Sequence, residues 1–155
     1  MRVRNLLAPI AVCVVAAACL NDSTGSSDTR AGCRGSSTAP VVTGDTVTTP
    51  SGLKYINKVV GTGATAELNR GVAVRYVGRL CSGAVFDSVP LDTVLKFTPG
   101  VSNIIPGFAE GVVGMKVGGE RRLIIPPSLG YGTQGSGPIP PNATIIFDVT
   151  LKRVQ

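Results

Sequence analysis

The sequence predicts an α+β domain in which an antiparallel sheet packs on one short helix. Three observations carry that expectation. Stretches in the second two-thirds of the chain alternate apolar and polar residues with period two, as strands with one buried face do. A single stretch carries helical spacing instead. Clusters of Pro and Gly separate them. One apolar-faced helix among several half-buried strands has to cover its stripe on them, and they theirs on it.

The elements follow in chain order. Residues 53–60 form the first strand, entered through Pro50-Ser51-Gly52 and left through Gly61-Thr62-Gly63. In the second, Val72, Val74, Tyr76, Gly78 and Leu80 alternate with Ala73, Arg75, Val77 and Arg79. Ile105, Phe108, Ala109, Val112 and Val113 fall at i, i+3, i+4, i+7 and i+8, one face of a helix. Pro106 suits its first turn, where a missing N–H costs little. Gly118-Gly119 turns the chain into a third strand of Arg121, Leu123 and Ile125, ended by Pro126-Pro127. Ile145, Phe147, Val149 and Leu151 alternate with Ile146, Asp148, Thr150 and Lys152 in a fourth. Between these last two lie the 18 residues 126–143, with 4 Gly and 5 Pro. A loop that long inside a compact domain is often functional. Leu129, Tyr131 and Ile139 argue against a purely solvated excursion.

Residues 1–18 read as a signal peptide. Arg2 and Arg4 precede a 13-residue apolar run, residues 6–18, too short for a comfortable membrane span. Ala16-Ala17-Ala18-Cys19 followed by Asn21-Asp22-Ser23 is similar to a bacterial lipoprotein signal, in which Cys19 is acylated and tethers the protein to a membrane. Ala16 departs from the Leu most common at that position, and plain secretion as a soluble protein is the alternative. Residues 19–50 form a tether: of the 31 residues 20–50, 5 are Ser, 7 Thr and 4 Gly. That composition predicts disorder to about Thr48. Residues 51–155 are then one folded domain, on a chain of 155 residues too short for two.

With Cys13 cleaved and Cys19 acylated, Cys33 and Cys81 remain. Export permits a disulfide between them; two unrelated thiols are the alternative, and the sequence does not give the Cα separation that decides.

Composition excludes several chemistries. After Cys19 the chain carries 13 basic and 9 acidic residues, scattered rather than striped, and no nucleic-acid partner is expected. There is no His, so Ser-His and Cys-His pairs, HExxH and Cys2His2 zinc sites are all absent. There is no CxxC and no GxxxxGK[ST] loop. No metal and no cofactor is expected. An enzyme built from this chain needs a reaction without a strong base, nucleophile or metal.

Val74-Arg75-Tyr76-Val77-Gly78 and Val85-Phe86-Asp87-Ser88, then Ile104-Ile105-Pro106-Gly107-Phe108, Gly111-Val112, Met115 and Val117-Gly118 stand in order with Pro126-Pro127, Tyr131-Gly132, Ile139-Pro140-Pro141-Asn142-Ala143 and Phe147-Asp148-Val149. This ordered set, from about Leu53 to Val154, resembles the FKBP-type peptidyl-prolyl cis-trans isomerases. Each motif alone is weak. The resemblance implies a twisted antiparallel half-barrel wrapped on the short helix, with a pocket between them. It implies aromatic walls from Tyr76, Phe86 and Phe147 and a floor from Phe108. Ile104 and Ile105 would line the entrance, with the Ile105 N–H donating to a peptide carbonyl. Tyr131 would offer its hydroxyl, Ile139 would cover the prolyl ring, and Asp87 would accept hydrogen bonds at the edge. Leu95 would touch substrate where an aromatic is common. Core packing for the aromatics and a turn cap for Asp87 are the plainer readings.

The chain departs from the pattern at Phe108, often Trp in the family, and at Val89-Pro90-Leu91, where many members carry an Arg partner for the Asp. The loop around Ser136-Gly137-Pro138 is shorter. The resemblance thus implies rotation about X-Pro bonds of exported proteins during folding, at a modest rate, and weak macrolide binding. A non-catalytic proline-peptide-binding or chaperone module on an envelope lipoprotein is the alternative. With no extra helical segment for dimerisation, a monomer in the bacterial envelope is expected, facing the periplasm or exterior.

Overall fold

The computed structural model describes Cys33 and residues 44–155. The leader, Cys19 and most of the tether lie outside the described residues. Among those described, seven strands form one open antiparallel sheet on one short helix. The strands are β1 (Thr46–Thr48), β2 (Lys54–Val59), β3 (Val72–Leu80), β4 (Val85–Ser88), β5 (Leu95–Phe97), β6 (Glu120–Ile125) and β7 (Ile145–Val154). They lie in the order β1-β2-β6-β7-β3-β4, with β5 also paired to β3. The helix α1 spans Pro106–Val112.

Alternation along the strands decides which side chains meet the helix. Val72 and Val74 of β3, Leu123 and Ile125 of β6, and Ile145, Phe147, Val149 and Leu151 of β7 share one buried cluster with Phe108 and Val112 of α1. Each aliphatic side chain so buried is worth about 1.5–3 kcal/mol. The pairings Leu123 with Phe147 and Tyr76 with Val149 bring β3, β7 and β6 into register on this face. Gly111 lets the helix sit close: a Cβ there would meet the Leu123 side chain at 2.5 Å. No basic residue ends α1, and Arg121 of β6 takes that role. Its guanidinium donates to the carbonyls of Gly111 and Val113 at 2.9 and 3.2 Å and to Asn57 Oδ1 at 2.8 Å. It also lies 4.2 Å from the centre of the Tyr55 ring. Terminal carbonyls of a buried helix end need such donors.

Four features depart from the sequence expectations. The tether was expected to run disordered to about Thr48, yet Thr46–Thr48 pair with β2. Three β-branched residues suit a strand, and the turn bonds Thr49 N–H to Leu53 O and Gly52 N–H to Thr49 O fold them back. The short strands β4 and β5 were not read from periodicity, because three or four residues carry too few alternations. The sheet was expected to bury one face, yet Ile56, Arg122, Ile124 and Ile146 on the other face are all at most 2% exposed. Cys33 packs on Ile146, and Gly44 sits against the Ile56 side chain. Buried Arg122 is held there by Asp148 at 2.6 and 2.7 Å, a bidentate pair of the kind that makes a buried guanidinium tolerable. Finally, the long loop is internally bonded. It opens with a 3-10 turn at Pro127–Leu129, closes a Ser136–Ile139 bridge, and is tied across by Asn142 N–H to Gly132 O at 2.8 Å.

Candidate functional site

All four Phe of the chain gather at one end of the helix–sheet interface, together with Tyr76. Phe108, in the first turn of α1, is the hub, with ring centres 5.0 Å from Phe147, 5.4 Å from Tyr76 and 5.7 Å from Phe97. Phe147 also meets Tyr76 at 5.5 Å and Phe86 at 5.4 Å. Four of these five contacts are edge-to-face, the arrangement favoured by ring quadrupoles. Gly78 of β3 makes the arrangement possible. A Cβ there would meet the Phe147 and Phe86 rings at 2.8 Å.

In front of these rings lies a cavity of about 430 Å³. The rings of Tyr76, Phe108 and Phe147 line it together with Leu95, Pro106, Asn103, Ile104, Ile105, Asp87 and Tyr131. The size falls at the small end of ordinary ligand pockets. The strand alternation of β3 and β7 aims Tyr76 and Phe147 inward. Helix α1 contributes Phe108 through its first turn, and the segment before it contributes Ile104 and Ile105.

Polar groups are few and differ in what they can do. The Tyr76 hydroxyl donates to Asp87 Oδ2 at 2.5 Å. Burial, then the hydrogen bond to Asp87 and its charge, push the Tyr76 phenol well above its ordinary pKa of 10.0. Burial first, and the Asp87 charge second, raise Tyr131 as well. Both phenols are therefore proton donors across the neutral range. The Tyr131 hydroxyl and the Ile105 N–H make no hydrogen bond among the described residues. Two donors on residues that line this aromatic cavity thus have no acceptor of their own.

The residues proposed from sequence divide accordingly. Tyr76, Asp87, Leu95, Ile104, Ile105, Phe108, Tyr131 and Phe147 all reach the cavity. Phe86 does not line it; it backs the wall by packing on Phe147. Ile139 does not line it either. It is 5% exposed and belongs to the core, drawn in by the loop's own bridge to Ser136. The partner of Asp87, unassigned once the family Arg was missing, is Tyr76. Asn103, Pro106 and Phe97 were not proposed as site residues. Pro106 was read as a helix start and as part of the Ile104–Phe108 motif, and Asn103 directly precedes the Ile104-Ile105 pair, the signal that could have found it. Cys33 and Cys81 form a disulfide with Cα atoms 5.8 Å apart, and neither lines the cavity.

Comparison with known proteins gives the family. Residues 63–152 match the family model for the FKBP-type peptidyl-prolyl cis-trans isomerase. The chain is 50% identical over 110 residues to FK506-binding protein 4 of Dictyostelium discoideum, covering 70% of this chain and 30% of that protein. It thus spans about a third or less of the length of the curated relatives it matches. Among solved structures, FkpA from Escherichia coli matches with a TM-score of 0.65 and 38% identity, over 71% of this chain and 51% of that one. A peptidyl-prolyl cis-trans isomerase from Pseudomonas syringae pv. tomato matches with a TM-score of 0.64 and 31% identity, over 71% and 80% of the two chains. With the family model covering more than half of its residues, and with an aromatic cavity between sheet and helix, the chain belongs to the FKBP-type peptidyl-prolyl cis-trans isomerases.

Proposed function

We propose that the protein accelerates rotation about X-Pro bonds in exported polypeptides as they fold. The observation that carries this reading is the cavity itself: apolar aromatic walls behind two unengaged donors, Ile105 N–H and Tyr131 hydroxyl. The X-Pro barrier arises from amide resonance, about 18–20 kcal/mol for a peptide bond. Cis and trans differ by only about 0.5–1 kcal/mol, so exchange is slow but nearly thermoneutral. No covalent bond is made or broken, which suits a chain with no His.

Catalysis then requires tighter binding of the twisted amide than of either planar form. Twisting uncouples the nitrogen lone pair from the carbonyl and reduces the charge separation of the amide. Tyr76, Phe108 and Phe147 favour the less polar twisted form and bury the prolyl ring, whose three methylenes contribute about 2.4 kcal/mol at ~0.8 each. Ile105 N–H and Tyr131 hold the carbonyls flanking the bond that rotates. Asp87, fixed by Tyr76, accepts from a substrate N–H at the rim. Each ~1.4 kcal/mol of preference for the twisted amide is tenfold in rate.

A protease-coupled isomerisation assay on the purified protein tests this. Tyr76→Ala and Phe147→Ala should lose about tenfold or more in kcat/KM while still folding, and Phe86→Ala less, because it acts through Phe147. Unchanged rates in all three sink the reading.

We further infer that the protein works as a monomer on a lipid tether at Cys19 in the bacterial envelope, on proline segments of unfolded clients, with weak macrolide binding. The leader pattern of residues 1–19 supports the tether, and the Cys33–Cys81 disulfide supports an oxidising compartment. Among the described residues no helix is long and apolar enough to cross a membrane. Labelling with radioactive palmitate in cells should mark the protein and fail for Cys19→Ala; equal labelling of both, or none, contradicts the anchor.

A further inference from the structure

Strand alternation places Tyr76 in the aromatic cavity and its neighbour Arg75 on the opposite face of the sheet. There Arg75 lines a second cavity of about 280 Å³ with Lys58, Lys152, Glu120 and Asp148. The charges in it do not balance. Asp148 is occupied by Arg122 at 2.6 and 2.7 Å. Lys58 lies 3.7 Å from Glu120 and 3.9 Å from Asp148. Arg75 and Lys152 have no carboxylate among the described residues. The Arg75 Nε–H is moreover fully buried without an acceptor among the described residues. A buried N–H without an acceptor is destabilising, so an oxyanion that displaces the groups covering it is favoured there.

We propose that this outer cavity is a second subsite for the client chain, in which Arg75 and Lys152 take the carboxylate of an acidic residue near the proline held in the aromatic cavity. The proposal rests on the isomerase reading above. Two observations favour the client over other anions. Tyr76 belongs to the lining of both cavities, so they are the two faces of one strand position. That position also falls in a gap of the sheet edge: β4 pairs with β3 from Val77 onward, and β5 pairs with it only up to Val74. Val89 N–H closes the last bond, to Tyr76 O at 3.0 Å, and residues 90–94 then leave the edge, with Leu91 83% exposed. A client chain rounding this gap needs little length. A sheet with its side chains is about 10 Å thick, and an extended residue advances ~3.3 Å, so an acidic residue about three to five positions from the proline reaches Arg75.

The test compares proline peptides that differ only in Glu against Gln at each position near the proline, using the purified protein and magnetisation-exchange NMR. Glu about three to five positions away should raise kcat/KM about two- to fivefold at low salt, the worth of one partly exposed ion pair. The gain should vanish near 1 M salt, where the screening length is about 3 Å. Arg75→Gln and Lys152→Gln should each remove the preference and leave turnover of a short Ala-Pro peptide unchanged. Lys152 is exposed, so that arm holds even if Arg75→Gln disturbs folding. Equal rates for Glu and Gln at every position overturn the proposal, as does a preference that survives both variants. Binding of inorganic phosphate or of phosphatidylglycerol vesicles to this face, with no Glu preference, also overturns it and assigns the face to those anions. A failure to turn over even the short peptide overturns the isomerase reading instead, and peptide affinities would then read the same Glu preference.

Discussion

Tyr76 performs three tasks from one position on β3. Its ring walls the cavity against Phe108 and Phe147, its hydroxyl fixes Asp87, and its backbone oxygen closes the β3–β4 edge. Because its phenol and that of Tyr131 are raised by burial and by Asp87, both stay protonated in the fold where an unfolded tyrosine ionises. The consequence has a definite sign. Below the unfolded value of 10.0 both states hold the proton and these groups give no pH dependence. Above it the unfolded chain releases protons that the fold retains, so stability falls as pH rises. Melting temperatures followed from about pH 8 to about pH 11 should therefore fall at the alkaline end, and Tyr76→Phe and Tyr131→Phe should each flatten that fall. An unaltered alkaline slope in both variants contradicts the assignment. At this scale the sequence showed Tyr76, Phe108 and Phe147 only as apolar positions on buried faces. Alternation distinguishes inward from outward but not a filled interior from one with an opening. The resemblance supplied the opening; the burial of Ile139 depends on how the loop bonds to itself, which no local pattern shows.

Helix α1 is two turns long, and isolated helices of that length do not hold in water. Its place is set by Gly111 against Leu123 and by Arg121 capping its last carbonyls from the neighbouring strand. Arg121→Met keeps much of the packing but leaves those carbonyls unpaired in the interior. It should lower stability by about 1–3 kcal/mol in urea melts. It should also weaken turnover, because α1 carries Phe108 and is entered directly from Ile105. A variant as stable as the parent would show that water or another group serves the helix end. The helix and strands β3, β6 and β7 were legible from their spacing, and β2 from the Pro and Gly turns that bound it. The strands β1, β4 and β5 were not, being three or four residues long and stabilised by their partners in the sheet rather than by their own periodicity.

Across the described residues, the sheet is covered on both faces, by α1 on one and by Cys33 and Gly44 on part of the other. The Cys33–Cys81 bond closes a separation of 48 residues. Chain entropy alone gives such a closure about 4 kcal/mol, an upper figure for most proteins. Cys33→Ala should therefore lower stability by about 2–4 kcal/mol under oxidising conditions, read by urea melts, while turnover of a proline peptide persists at temperatures where the variant is folded. A parent and variant of equal stability would mean that the bond holds nothing the fold needs. The burial of Cys33 depends on a covalent tie between distant segments, and such a tie leaves no local periodicity to read.

Magnetisation exchange between the cis and trans signals of a proline peptide, at substoichiometric protein, reads whether the aromatic cavity lowers the barrier to X-Pro rotation. Uncatalysed exchange takes tens to hundreds of seconds. Exchange should be faster by orders of magnitude with the purified protein, and should return towards the uncatalysed rate with Phe147→Ala. Peptide signals that shift on binding while cis and trans still exchange at the uncatalysed rate would contradict it, and would make the cavity a binding site only.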